Sequence, residues 1–330
     1  MRYGKIIVYV ANKGETQMAK IKCLEAIKEN IKKVIVGKDE VIDMLLVSLI
    51  CSGHIIIEDL PGLGKTTLAS ALADSLGCEF QRIQFTPDVL PSDITGFNIF
   101  DINTGRKAFN KGSVHSQIVL ADEINRASPK TQSALLEAMQ ERQVTVDGTT
   151  YELPKPFMIL ATENPVDTAG TYPLPEAQLD RFLMKINMGY PSFEAEIDII
   201  KKNRSVVDEI KLEPVATAAE ILKIQEAISL VHIADEVIKY IIEIAAATRE
   251  YEGVIMGVSP RGSIALTQAA CGLAILEGRN YVIPDDVKRL APYVLSHRMI
   301  MKNRSGAKGT TALDTINNIL ENVRIPKIKD

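Results

Sequence analysis

The chain has 330 residues, 46% of them apolar and 24% charged, with a formal net charge of −4. That suffices for one large or two ordinary domains of soluble composition. The acidic balance and the absence of any basic run speak against a groove built to track nucleic acid.

The four cysteines (Cys23, Cys51, Cys78, Cys271) are scattered without a C-x-x-C pair, and the histidines are equally dispersed. Reduced thiols in a cytoplasmic protein are expected, not a disulfide framework or a zinc site. No apolar run has the length of a membrane span. IIVYVA after MRYGK is too short for a signal core and lacks a small-residue cleavage site, so residues 1–17 read as an N-terminal extension or a first edge strand.

Helical periodicity starts near Met18 and runs to Val36-Gly37, and VIDMLLVSLICSG predicts a second helix ending at Gly53. Three apolar runs follow: IIIE, IVLADE (Ile118–Glu123) and FMILATEN (Phe157–Asn164). Runs that end abruptly in polar residues suit central parallel strands buried on both faces. TTLASALADSLG and PKTQSALLEAMQER fall between them as helices. The alternation predicts a doubly wound α/β domain over residues 18–190, with ligands beyond the carboxyl ends of the strands. Two hairpins interrupt it, Phe97–Phe109 turning at Asn103–Gly105 and Gln143–Leu153 turning at Asp147-Gly148. Both are candidates for outside contacts. Beyond Tyr190 six helical stretches predict an all-helical domain over 191–330, with a mobile loop at Arg304–Thr311.

The chemistry centres on PGLGKTT after the first strand (Pro61, Gly62, Leu63, Gly64, Lys65, Thr66, Thr67). A glycine-bearing turn between strand and helix presents backbone N–H groups and a helix N-terminus to phosphate. Lys65 is placed to reach the β- and γ-phosphates, and the Thr66 hydroxyl to bind Mg²⁺. A cation in a first helical turn opposes the helix dipole, which fits an anion bound beside it. Asp59 stands where the usual phosphate loop has glycine. Aspartate tolerates left-handed backbone geometry, so the turn is expected to form. At about 7 Å and a dielectric of about 20, its carboxylate would repel one phosphate charge by roughly 2 kcal/mol. On that basis Asp59→Gly is expected to tighten or barely change nucleotide affinity.

IVLADE puts Asp122 and Glu123 at a strand's carboxyl end. Asp122 suits a metal ligand acting through water, and Glu123 a general base. Asn164, at the end of the third strand, suits an amide orienting the attacking water. Arg181 in PEAQLDRF either pairs with Asp180 or Glu176 or reaches further. Arg261 follows Ser259, a candidate N-cap, and Pro260, the first helical residue; a cation there again suggests an anionic target.

Taken with RIQFTPDVLPSDITG, LADEINRASPKTQSALLEAMQERQVTVDG, ATENPVDTAGTYPLPEAQLDRF and GVSPRG, the chain resembles an AAA+ ATPase of the MoxR family from about Ile21 to Pro326. The resemblance implies a P-loop parallel sheet domain with a C-terminal helical lid. Lys65 and Thr66 match the Walker A motif, Asp122 and Glu123 Walker B, and Asn164 the first sensor. Arg181 matches the arginine finger reaching a neighbour's nucleotide, and Arg261 the second sensor on the lid. Val36-Gly37 matches the segment along the adenine. The hairpins match the helix-2 insert and pre-sensor hairpin. ATP and Mg²⁺ are implied, with a hexameric ring and chaperone-like remodelling of a client, often one bearing a von Willebrand factor A domain, in maturation or metal-cofactor insertion. Gly64 stands for the more usual Ala, Glu163 for Gln, and Lys111-Gly112-Ser113-Val114 for Gly-Pro-Ile-Phe. A different class, a nucleotide-bound switch or scaffold with little turnover, draws its support from Asp59.

Overall fold

The computed structural model describes residues 20–101, 106–166, 170–205, 211–302 and 310–326. The extension 1–17, the turn at Asn103–Gly105 and most of Arg304–Thr311 lie outside the described residues.

A first helix, α1, covers 20–32, and α2 (Asp39–Ile50) follows. Residues Val41–Ile50 of α2 are all buried, because the helix lies between the sheet and the C-terminal helices. Then come β1 (Ile55–Glu58), α3 (Lys65–Leu76), β2 (Phe80–Gln84), α4 (Pro91–Thr95) and the hairpin β3 (Gly96–Asp101) with β4 (Arg106–Lys111). β5 (Ile118–Asp122), α5 (Pro129–Glu141), the hairpin β6 (Gln143–Val146) with β7 (Thr149–Glu152), β8 (Met158–Glu163), the short α6 (Glu176–Leu179) and β9 (Met184–Ile186) complete the α/β part.

The five-stranded sheet has the order β2-β5-β8-β1-β9, and every pairing in it is parallel. The three strands expected from apolar runs are its centre, as burial on both faces requires. Alternate residues enter two clusters: Ile55 and Ile57 pack with α1–α3, and Ile56, Val119 and Ala161 with α5. The strand carrying Asp122 is not beside β1; β8 lies between them. The two hairpins touch each other, with Phe109 stacked on Tyr151 at 3.9 Å and Asn98 donating to Asp147 at 2.9 Å.

The remainder is α7 (Phe193–Ser205), α8 (Ala218–Ala227), α9 (Asp235–Glu250), β10 (Val254–Met256), α10 (Pro260–Leu276), α11 (Pro284–Leu295), β11 (Ile300–Met301) and α12 (Ala312–Asn322). All six expected helices are present. A small antiparallel ribbon, β10–β11, is added to them, its strands too short to show a period of two. The larger apolar cluster runs from the sheet into these helices without a break. Arg289 ties α11 to α2, its guanidinium 2.5 Å from Glu40 and 2.9 Å from Asp43. All four cysteines are free thiols. Among the described residues no helix is long and apolar enough to cross a membrane.

Candidate functional site at the carboxyl edge of the sheet

The turn after β1 holds Gly62 at φ 83° and Gly64 at φ 85°, a region in which other side chains are strained. Gly64 is thereby the N-cap of α3, whose first turn contains no acidic residue. Lys65 is buried, and its ammonium donates to the Asp59 carbonyl at 2.8 Å. Burial pulls its pKa down, against the opposing pull of Asp122, Asp59 and Glu123.

A recess of about 400 Å³ joins Pro61, Gly62, Gly64, Lys65, Thr66 and Thr67 to Asp122, Glu123 and Asn164, with Arg82 and Gln84 from β2. That volume is within the usual range for a ligand pocket. Thr162 couples the two strand tips. Its hydroxyl donates to Asp122 Oδ1 at 2.6 Å and accepts the Glu123 N–H at 2.8 Å. Arg82 donates to Asp122 Oδ2 at 2.7 Å, and Gln84 to Glu123 Oε2 at 3.1 Å. Glu123 itself has φ 59°, uncommon for a side chain of its size and of the kind held at functional sites by surrounding structure. Asn164 Oδ1 accepts from Val166 N, which turns the amide nitrogen the other way. The Thr66 hydroxyl and the Asp122 carboxylate are hard oxygen donors in one recess, a set that fits Mg²⁺.

Asp59 departs from expectation. Its backbone is not left-handed; the positive φ values fall on Gly62 and Gly64. The residue is only 9% exposed and does not line the recess, and its carboxylate accepts from Leu60 N at 2.9 Å and Gly189 N at 2.6 Å. Two N–H groups thus satisfy it, while its charge still acts on the Lys65 ammonium beside those of Asp122 and Glu123. Leu63 belongs to the turn but does not line the recess. Gly37 lines a second recess, described below, while the half-buried Val36 does not.

Arg181 and Arg261 are elsewhere. They share a recess with Ser52, Gly53 and His54, residues that precede β1, whereas the phosphate turn follows it. In a parallel sheet this is the opposite, amino-terminal edge. Arg181 donates to the Leu136 carbonyl at 2.8 Å and does not pair with Asp180, which Arg298 engages at 2.7 Å. Ser259 is the N-cap of α10 by position, but its side chain makes no capping hydrogen bond. Arg298 is 6% exposed and also donates to the carbonyls of Asp180, Phe182, Leu183 and Val294, fixing the Arg181 loop against α11. Arg298→Ala leaves Asp180 without its cation and is expected to cost about 3–5 kcal/mol in urea unfolding. A loss below about 1 kcal/mol would show that this network contributes no more than a surface pair.

Beside Asn164, burial pushes the Glu163 carboxyl up to about 7, against Lys185 and with help from Glu58. Glu58 itself is paired with Lys185 at 2.9 Å. Between pH 4.5 and about 7 the folded chain keeps a proton that the unfolded chain has lost, so this group's contribution falls as pH rises through that window. Relative to wild type, Glu163→Gln is expected to gain about 2–3 kcal/mol between pH 5 and pH 8. Urea unfolding at the two pH values checks this; parallel curves would refute it.

The sequence profile of the ATPase family associated with various cellular activities (AAA) matches residues 54–184, and that of the AAA lid domain residues 246–319. Chaperone MoxR1 of Mycobacterium tuberculosis is 40% identical, over 96% of this chain and 85% of its own. The YeaC protein of Bacillus subtilis is 49% identical, over 90% of this chain and 93% of its own. The chain belongs to the MoxR family of AAA+ ATPases. A crystal structure from Cytophaga hutchinsonii has the same fold, with a TM-score of 0.89 and 38% identity across 97% of this chain and 99% of that one. Membership in this family of ATPases and chaperones agrees with a P-loop recess at the strand tips and a helical lid. Arg82, Gln84 and Thr162 were not singled out in the sequence. The first two sit on a strand whose FQRIQ buries a single residue, Ile83, so no apolar run announced them.

Proposed function

We propose that the chain is an Mg²⁺-dependent ATP hydrolase whose active centre is completed by a neighbouring copy, and that it remodels a client protein. The observation that carries this is the single recess joining Lys65, Thr66, Asp122, Glu123 and Asn164 from one turn and two strand tips. Phosphoryl transfer to water needs positioning and charge stabilisation more than covalent chemistry. Lys65 leaves the Asp59 carbonyl to engage β- and γ-phosphate oxygens. The turn's N–H groups and the start of α3 hold the remaining charge. Mg²⁺, held by Thr66 and through water by Asp122, would neutralise charge on the β- and γ-oxygens. Glu123 takes a proton from the attacking water, and Asn164 orients that water.

Arg181 and Arg261 open at the opposite edge of the sheet from this recess. They are therefore assigned to a neighbour's nucleotide, Arg181 as the finger and Arg261 beside it, not over its own phosphate turn. Heterologous contacts of this kind form a ring where their rotation closes, here a hexamer by family precedent. The paired hairpins, with Phe97, Ile99 and Phe100 exposed, are the surface offered to the client. A von Willebrand factor A domain is the expected partner type, with metal-cofactor insertion as one purpose. Capture with Glu123→Gln in ATP identifies it. A low-turnover scaffold, the reading that draws on Asp59, is separated from this one by comparing the turnover of wild type and Glu123→Gln.

Calorimetric titration with ATP, with and without Mg²⁺, tests the nucleotide reading. Wild type is expected to bind, and Lys65→Ala to bind at least about tenfold more weakly, the worth of a charge-assisted hydrogen bond. Equal affinity in both would remove Lys65 from the site.

A further inference from the structure

The residue that breaks the glycine rule of the phosphate loop is also its most connected one. Asp59 N donates to the Glu163 carbonyl at 3.1 Å, next to Asn164, and its carbonyl receives Lys65. One carboxylate oxygen holds Leu60 N, and the other holds Gly189 N at 2.6 Å. Gly189 lies in the short link between β9 and α7, with φ 61°, and a lysine grips the same link. Lys38 donates to the carbonyls of Met188, Gly189 (2.9 Å) and Tyr190 (2.8 Å).

This link is one wall of a recess of about 260 Å³, whose other walls are Gly37–Val41 with Met44, and Tyr293 of α11. The recess adjoins the phosphate turn: a Cβ on Gly64 would lie 3.8 Å from Ile35 and 4.0 Å from Met188. Thioether and aromatic walls suit the faces of a planar base. A glycine at position 59 could make no bond to Gly189.

Building on the nucleotide reading above, we propose that Asp59 is a positioning residue, clasping the phosphate turn to the β9–α7 link so that the recess against Tyr293 holds the base of a bound nucleotide. Its role is then to couple the base end of the ligand to the triphosphate end. When Lys65 exchanges the Asp59 carbonyl for phosphate, the residue that releases it is the one anchoring the link on which the helical lid follows. Removing the carboxylate should weaken binding, the reverse of the tightening expected from charge alone.

The clasp predicts a split between two ligands, ADP and inorganic tripolyphosphate, titrated calorimetrically into wild type, Asp59→Ala and Asp59→Asn. Asp59→Ala should bind ADP at least about tenfold more weakly, one charge-assisted hydrogen bond's worth, while tripolyphosphate affinity stays within about twofold. Asp59→Asn keeps the shape and one acceptor oxygen, so an intermediate, ADP-only loss of about threefold is expected. It carries the test alone if Asp59→Ala does not fold. Equal weakening of both ligands would make Asp59 a plain support of the turn and overturn the clasp. Unchanged or tighter ADP binding would overturn it as well. A wild type that takes up neither ligand would instead overturn the nucleotide reading on which the clasp rests.

Discussion

Replacing Glu123 by Gln is expected to lower ATP hydrolysis by about 10²–10⁴-fold, the usual worth of a general base, with nucleotide affinity changed little. Glu123 is held by three elements at once. Thr162 accepts its N–H, Gln84 donates to its carboxylate, and Arg126 pairs with it at 3.1 Å. The amide of Gln fits the same space and can still accept from Gln84, so geometry survives while the proton acceptor is lost. Steady-state phosphate release and ADP titration on the same preparations separate the two effects. Indistinguishable turnover in wild type and Glu123→Gln would favour a nucleotide-bound scaffold. A parallel collapse of binding would show that Glu123 supports the recess instead of the chemistry.

Arg181→Ala is expected to be as severe or worse, about 10³–10⁵-fold in turnover if it acts as an arginine finger. Its effect should appear in kcat, with binding to the chain's own recess preserved, because Arg181 lies at the other edge of the sheet. The side chain donates to the Leu136 carbonyl from an exposed position, so its loss should cost little stability. That contrasts with Arg298, whose buried guanidinium holds the same loop. A large loss of ATP affinity in Arg181→Ala would place it in its own site and contradict the assignment.

The parts legible in the sequence were those written in contiguous residues. Ile55–Ile57, Ile118–Ala121 and Met158–Ala161 are buried on both faces and read as unbroken apolar runs. The phosphate turn and Asp122-Glu123 were visible because their chemistry needs fixed residue types at fixed spacing. The edge strands were not. β2 buries one residue and β9 has only three, too few for a pattern to stand out. The direction of the Asp59 side chain could not be read either, since it depends on an N–H 130 residues away. Nor could the whereabouts of Arg261, which follow from how α10 packs on α2: Gln268 donates to the Cys51 carbonyl at 2.7 Å, and Gly272 leaves no room for a Cβ against Cys51 Sγ. Long-range packing decides such matters, and a local pattern does not record it.

The central claim is that one protomer's strand tips and its neighbour's arginine make a single hydrolytic centre. Mixing two inactive variants tests it most directly. Lys65→Ala lacks the phosphate-binding ammonium but keeps its finger, and Arg181→Ala keeps the recess but lacks the finger. Each alone should hydrolyse ATP at background. A one-to-one mixture, allowed to exchange subunits, should recover about a quarter of the wild-type rate, the share of interfaces that pair an intact recess with an intact finger in a randomly populated ring. A mixture that stays at background although the two chains co-assemble would contradict the account.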